Sequence, residues 1–428
     1  MLLALSFSLV PLARGPARFD LLRALPAHAE GAEQRFTLPN GLKVVIAPDP
    51  EQDRVCVLIR YALGHRDDPV GYRGLSHLTE HMTFRVGATM SQLESLGATD
   101  FNGITTADET YYYALIPPVS LQSVLWLEAQ RMAFSASDMR PNDLKLEQRI
   151  VLREWSDRFG NEASALQADL SEKLYPSSHP YARRHDRPRD VRAADLADVQ
   201  WFTQANYRPE KAVLAITGKV DPAEAMAFVQ RYFGSVKGTG PAATRAAPAP
   251  ASLRQEVVVE RSANIAHELL IMSWLLPGYD SQLLPALDLS AQLLSLHLRM
   301  RLVEPDGPAS SVSAYLERSE LQSMFVIVVL ARGKTRVAEL RPQVDAVLAE
   351  LSAGHFDKTA LEAAQTAADR AAQVTEGDLG GQALRLARGL PYQPNLYRRV
   401  SATEVQMALR NWLPHTRRAV GIVTSEQP

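Results

Sequence analysis

Gly74-Leu75-Ser76-His77-Leu78-Thr79-Glu80-His81-Met82-Thr83-Phe84 sets two histidines around three residues that end in a glutamate. On a helix His77 and His81 are four residues apart, so both imidazoles leave one face and can grip a single metal ion, with Glu80 beside them. The order H-x-x-E-H reverses the commoner H-E-x-x-H arrangement, and the reversed form is itself a zinc-peptidase signature. A surface helix with two solvated histidines is the competing reading of the same residues.

A catalytic zinc takes three protein ligands and keeps a fourth position for water. His77 and His81 supply two. The third can be a carboxylate, and a charged helix expected over Asp143 to Phe159 offers Glu147, Glu154 and Asp157, among which spacing does not choose. Glu147 and Glu154 are two helical turns apart and share a face. Glu80 would serve as general base. Zinc lowers the pKa of its water toward ~7, and a carboxylate in reach can take the proton as the oxygen attacks a carbonyl carbon, then hand it to the leaving amine.

Working outward, 428 residues exceed one ordinary core, and a hydrophobic content of 46% with 22% charged residues describes a well-buried globular chain. A net charge of −2 and a pI near 6.6 give no general pull toward nucleic acid or anionic membrane. The basic run Arg183 to Arg192 is interrupted by Asp186 and Asp190 and reads as a solvated loop. The single cysteine, Cys56, lies in the apolar run Val55 to Ile59, which makes it a small buried hydrophobe and excludes an internal disulfide framework. No later segment reaches the ~18 unbroken apolar residues of a membrane span. Met1 to Leu12 has the length of a signal-peptide apolar region but no leading positive charge, and Ala27-His28-Ala29 suits a cleavage site. Residues 1–30 are therefore a candidate leader, with a periplasmic or otherwise exported location if it is a signal peptide and a cytoplasmic one otherwise.

Local patterns give the order of elements. Arg35 to Leu38 and Leu42 to Ile46 read as strands joined by a two-residue Asn40-Gly41 hairpin. Arg54 to Tyr61 is a strand, Gly64 to Pro69 a loop containing His65, Ser91 to Leu96 a short helix, Gly97 to Gly103 a loop and Thr105 to Ile116 a strand. Helices follow over Leu121 to Phe134, Asp143 to Phe159 and Ala194 to Gln204, then a strand over Ala212 to Gly218 and a helix from Asp221 to Phe233. Gly234 to Ser252, rich in Gly, Pro and Ala, reads as a linker. Beyond it come strands at Glu256 to Glu260, Leu269 to Leu276, Ser310 to Tyr315 and Met324 to Ala331. Helices there are expected at Leu284 to Leu302, Val337 to Leu351 and Thr359 to Ala372. The order repeats that of the first half and suggests a duplication. At the place of the metal motif the second half has only His297.

The motif and its surroundings resemble the pitrilysin/insulinase family of zinc peptidases, which includes the mitochondrial processing peptidase. Gly74 to Phe84 is similar to the family's G-L-x-H-x-x-E-H-M-x-F. Asn102 to Tyr113 is similar to its N-A-x-T-x-x-D-x-T-x-Y-Y, and Glu147 to Glu154 to its E-R-x-V-V-x-x-E. Tyr207-Arg208-Pro209, the Val213 to Gly218 strand and the Asn40-Gly41 opening also fit. The resemblance implies an α+β fold of two homologous α/β sandwich halves, each a mixed, largely antiparallel sheet with helices packed on it, forming a processing-peptidase-like clamshell. It implies a catalytic zinc half over 31–234, a linker over 235–252 and a homologous non-metal half over 253–428.

The same resemblance implies one Zn2+ held by His77, His81 and Glu154, Glu80 as base, and Glu147 as a carboxylate orienting the site from behind the ligands. Asn102, Gly103, Ile104 and Thr105 would form an edge strand to which an extended peptide adds by backbone pairing. The His81 to Glu154 step is slightly short for the family, which points to a trimmed loop around Arg85 to Thr89. Single-unit relatives usually carry an arginine and a tyrosine where this chain has Val303 and Ser310. That departure implies the zinc subunit of a heterodimer, with a paralogous subunit supplying the missing pair. The implied function is a zinc-dependent metalloendopeptidase for extended or unfolded peptides. A non-catalytic scaffold or assembly subunit of the same fold is the alternative, and it predicts decay of the ligand set.

Overall fold

The structure, a computed structural model, describes residues 33–86, 90–237, 248–304 and 306–426. The candidate leader, the core of the linker and most of the supposed trimmed loop lie outside them. The first sheet is built from β1 (Gln34–Thr37), β2 (Lys43–Pro48), β3 (Val55–Tyr61), β4 (Asp100–Thr105), β5 (Thr110–Ile116) and β6 (Ala212–Gly218), in the order β1-β2-β6-β3-β5-β4. The second holds β7 (Val257–Ala263), β8 (Leu269–Leu275), β9 (Ala309–Glu317), β10 (Met324–Ala331) and β11 (Ala419–Ser425), in the order β7-β11-β8-β10-β9. In each sheet one pair is parallel, β2 with β6 and β7 with β11, and the remaining pairs are antiparallel. Leaving β1 aside, the two sheets share order and strand direction, as a duplicated half requires.

The first-half helices are α1 (Leu75–Val86), α2 (Met90–Ser95), α3 (Leu121–Asp138), α4 (Pro141–Phe159), α5 (Glu162–Leu174), α6 (Pro188–Ala193), α7 (Leu196–Asn206) and α8 (Pro222–Phe233). The second half has α9 (Leu284–Leu302), α10 (Val337–Ser352), α11 (Lys358–Gly377), α12 (Leu379–Ala387) and α13 (Ala402–Trp412). Together they make two mixed α/β layers in a bilobed clamshell.

Every residue of β3 is buried, because both faces of its sheet are covered. Val55, Val57, Ile59 and Tyr61 join the core under α1, α3 and α8. Cys56 and Leu58 point the other way, into a cluster with Leu379, Ala383, Leu386 and Ala387 of α12. The second sheet is covered in the mirror sense. Leu166, Leu170 and Leu174 of α5 pack on Ile271, Val326, Ala419 and Val423, while α9, α10 and α13 cover its opposite face through Trp274, Phe325 and Ile327. Each half thus lends one helix to the other half's sheet. Gly421 makes room for this, since a Cβ there would sit 2.7–2.8 Å from side-chain carbons of Leu166 and Leu170.

Polar links follow the same seam. Glu109 pairs with Arg60 of β3 and with Arg388 just beyond α12. Asp108 accepts from the backbone N–H of Glu320 at 2.8 Å and from Arg66 at 2.9 Å.

Five expectations change. The stretch Gly97 to Gly103 is not all loop, because Asp100 onward pairs with β5 as an edge strand. The single strand expected over Thr105 to Ile116 is broken by a turn, where Thr106 N–H bonds Glu109 O at 2.8 Å, so β4 and β5 form a hairpin. The Asn40-Gly41 turn is longer than two residues: Leu38 N–H bonds Leu42 O, only Gly41 takes positive φ, and the Asn40 amide instead ties to Phe233 O and Val236 O. The basic run holds α6 and the buried groups Arg184 and Asp190 rather than a solvated loop. His65, expected in a loop, is buried in a 3₁₀ turn over His65–Asp67.

Candidate metal centre

The motif helix is set by its N-terminus. Gly74 takes φ +95°, a left-handed conformation that favours glycine. The buried Asp68 carboxylate accepts from the N–H of Gly74 at 2.7 Å and of Ser76 at 2.8 Å, which satisfies donors that a helix start leaves free. Leu75, Leu78 and Met82 face the core and leave His77 and His81 on the side toward α4. Their ring centroids are 4.9 Å apart.

On α4, Leu144, Glu147 and Val151 are buried. Gln148 anchors the helix to the α6 region through Val191 O at 2.8 Å and Ala194 O at 2.9 Å. Glu154 then presents Oε2 3.5 Å from His77 Nε2 and 3.4 Å from His81 Nε2. The three candidate donor atoms lie within 4.8 Å of one another, and among the described residues they are the one such group. Of the three carboxylates the sequence left open, the structure brings Glu154 to the histidines. Asp157 is exposed beside Arg153. Glu147 lies behind His81, its Oε2 accepting from Nδ1 at 2.9 Å while its other oxygen pairs with Arg85 Nε.

Both imidazoles therefore spend Nδ1 on a carboxylate and leave Nε2 toward Glu154, since His77 Nδ1 lies 2.7 Å from Asp186 Oδ2. A carboxylate at Nδ1 keeps a proton on that nitrogen, so Nε2 is the nitrogen that can give up its proton and turn a lone pair to a metal ion. Two imidazole nitrogens and a carboxylate oxygen, with Glu154 half open to solvent, form a donor set that suits zinc with room for water. The hydrogen bonds from His77 and His81 hold the Glu154 carboxyl down at about 2. Burial of His81 disfavours its charge, but the bonds to Glu147 and Glu154 prevail and raise it to about 9.

Glu80 is buried beside this group and touches β4. Thr105 Oγ1 donates to Glu80 Oε2 at 3.4 Å, and a Cβ on Gly103 would fall 2.4 Å from Glu80 Oε1. Burial raises the Glu80 carboxyl above its usual range against the pull of His81 and His77. Thr105 and Gly103 thus sit against Glu80, while β4 forms the open edge of the sheet. Tyr112 packs inside, its hydroxyl bonded to Tyr207 at 3.0 Å. In the second half Ser310 Oγ is bonded to Leu330 O and Ala331 O at 3.1 and 3.2 Å, and Val303 packs on the core.

Sequence reading missed Asp186, His65 and Arg85. The signal for Asp186 was its spacing of one helical turn from Asp190 inside an arginine-rich run, which marks partnered acids as well as solvated ones. No helix of the described residues is long and apolar enough to cross a membrane.

Comparison with known proteins gives the same picture. A family model described as Insulinase (Peptidase family M16) matches residues 43–181, and one described as Peptidase M16 inactive domain matches 193–368. Zinc protease PqqE of Helicobacter pylori is 23% identical over 358 residues, 79% of this chain and 78% of that protein. An uncharacterized zinc protease of Mycobacterium bovis is 31% identical over 224 residues, half of each chain. The crystal structure of a protease from Helicobacter pylori superposes with a TM-score of 0.83 at 19% identity, covering 92% of this chain and 100% of that one. With both halves matched in order and the metal cluster confined to the insulinase-type half, the chain belongs to peptidase family M16.

Proposed function

We propose that the protein is a zinc-dependent metalloendopeptidase that hydrolyses extended or unfolded peptides. The observation that carries this reading is the convergence of His77, His81 and Glu154 with a buried Glu80 that touches an edge strand through Thr105. Zinc held by His77, His81 and Glu154 would supply Lewis-acid polarisation of the substrate carbonyl and acidify the attacking water. Glu80 would take the proton from the attacking water and return it to the leaving amine. Asn102 to Thr105 offer the free backbone of β4, so a peptide can add as a further strand only where its own backbone is unpaired. Glu147 orients His81.

Glu80→Gln should keep zinc and lose about 10²- to 10⁴-fold in cleavage of an unstructured peptide, the range of general-base contributions. Metal analysis beside a fluorogenic peptide assay reads both. Unchanged cleavage removes Glu80 from the role, and a wild type that binds no zinc supports the scaffold reading.

We further propose that the chain is the zinc subunit of a heterodimer, because Val303 and Ser310 stand where single-unit relatives carry a substrate-holding arginine and tyrosine. Mixing with the paralogous subunit should raise cleavage well above that of the purified chain alone. Equal rates with and without it would remove the heterodimer.

A further inference from the structure

We propose that Asp186 is a positioning residue of the metal centre, fixing the His77 ring so that Nε2 faces His81 and Glu154. The inference rests on the zinc reading above and extends it to a segment outside both helices that carry the ligands.

Asp186 Oδ2 lies 2.7 Å from His77 Nδ1, and its side chain is 9% exposed. The segment that carries it is clamped to the approach to α1. Arg73 Nε donates to His185 O at 3.0 Å, Arg187 N–H donates to Arg73 O at 3.3 Å, and Arg73 N–H donates to Asp190 Oδ2 at 3.2 Å. Gly74 clears the space: a Cβ there would sit 3.2–3.3 Å from Asp186 Oδ1 and Cβ and 2.7 Å from Val191. The remaining Asp186 oxygen makes no hydrogen bond among the described residues and lies 3.4 Å from His65 Nδ1. His65 Nδ1 is in turn 3.3 Å from Ser76 Oγ. The contacts Ser76, His65, Asp186, His77 thus begin and end on α1.

The two histidines are held from different elements. Glu147 reaches His81 from α4, the helix that also brings Glu154, whereas Asp186 reaches His77 from the segment before α6. Partners behind metal ligands set ring orientation, and their loss typically lowers affinity by about 10- to 100-fold. Asp186 accordingly acts on the metal through His77 and touches neither metal nor substrate.

The test uses the full chain as Asp186→Ala, Asp186→Asn and His77→Ala. Zinc affinity is read by competition with a chromophoric chelator, the visible spectrum after cobalt(II) substitution, and melting temperature with zinc and with chelator. Asp186→Ala should bind zinc about 10- to 100-fold more weakly, with an altered cobalt spectrum and a smaller zinc-induced rise in melting temperature. Asp186→Asn keeps a carbonyl oxygen for the Nδ1 proton and should recover part of the affinity. Wild-type affinity in Asp186→Ala, or equal losses in the two variants, overturns the proposal. If Asp186→Ala does not fold, Asp186→Asn decides alone: weaker zinc binding with a changed cobalt spectrum supports the role, and wild-type values overturn it. If His77→Ala also binds zinc like the wild type, the metal assignment itself has failed.

Discussion

Glu80 and Gly103 share one small volume. A Cβ on residue 103 would fall 2.4 Å from the Glu80 carboxylate oxygen, so the size of that side chain governs where the carboxylate can stand. Alanine is met by a swing of the flexible glutamate. A branched side chain needs more, and Gly103→Val should lower kcat by at least about tenfold while zinc content stays at wild type, since a displacement of ~1 Å in a reacting group costs up to 10²-fold. Steady-state kinetics with metal analysis checks this, and a kcat at the wild-type level sinks it. His77, Glu80 and His81 were legible because one helix dictates their spacing. Choosing Glu154 over Glu147 needed either the family pattern or the structure, because both share a face and only the packing of α4 decides which reaches Nε2. Asp186 was not legible, since its partner lies 109 residues away.

At the scale of elements, the helices that cover each sheet from the other half deserve comparison with what their sequences announced. Leu166, Leu170 and Leu174 stand four residues apart and give α5 an amphipathic pattern, whose apolar face is turned to the second sheet. For β4 the periodicity is weak: Asp100 to Thr105 has only Phe101 and Ile104 as large apolar residues, at positions that alternate to opposite faces, and contains Gly103, so the family resemblance rather than the pattern pointed to an edge strand there. By contrast Leu284–Leu302 and Met324–Ala331 fall where their patterns put them, being long or continuously apolar. The fit of α5 on its sheet depends on Gly421. Gly421→Ala should destabilise the protein by about 1–3 kcal/mol, the usual cost of overpacking, read as a lower urea midpoint. An unchanged midpoint would mean that α5 shifts freely on the sheet.

For the whole molecule the decisive group is Glu109, whose carboxylate joins Arg60 of the first sheet to Arg388 beyond α12. Burial would raise this carboxyl, but the hydrogen bonds from Arg388 and the charges of Arg388 and Arg60 lower it. A lowered folded-state value means that the stabilisation is complete above the unfolded value near ~4.3 and drains away as pH falls through the lower folded value. Glu109→Gln should cost about 3 kcal/mol at neutral pH, the low end for breaking a buried pair because Arg388 is 29% exposed. It should also flatten the acid limb of stability against pH between about 5 and the folded value. Denaturation series at several pH values would show this, and parallel curves for variant and wild type would count against it.

The crossing of α5 and α12 has a consequence for how such a molecule can arise. A half-length polypeptide on its own would carry a sheet with one bare apolar face, the face that its twin's helix covers here. Two identical copies could cure this for each other by trading helices, as swapped homodimers do. Joining the copies in one gene would keep the trade while freeing each copy to vary, so that one could keep a His/His/Glu cluster and the other lose it. Cutting the present chain between Lys237 and Pro248 and co-expressing the pieces would run that history backwards.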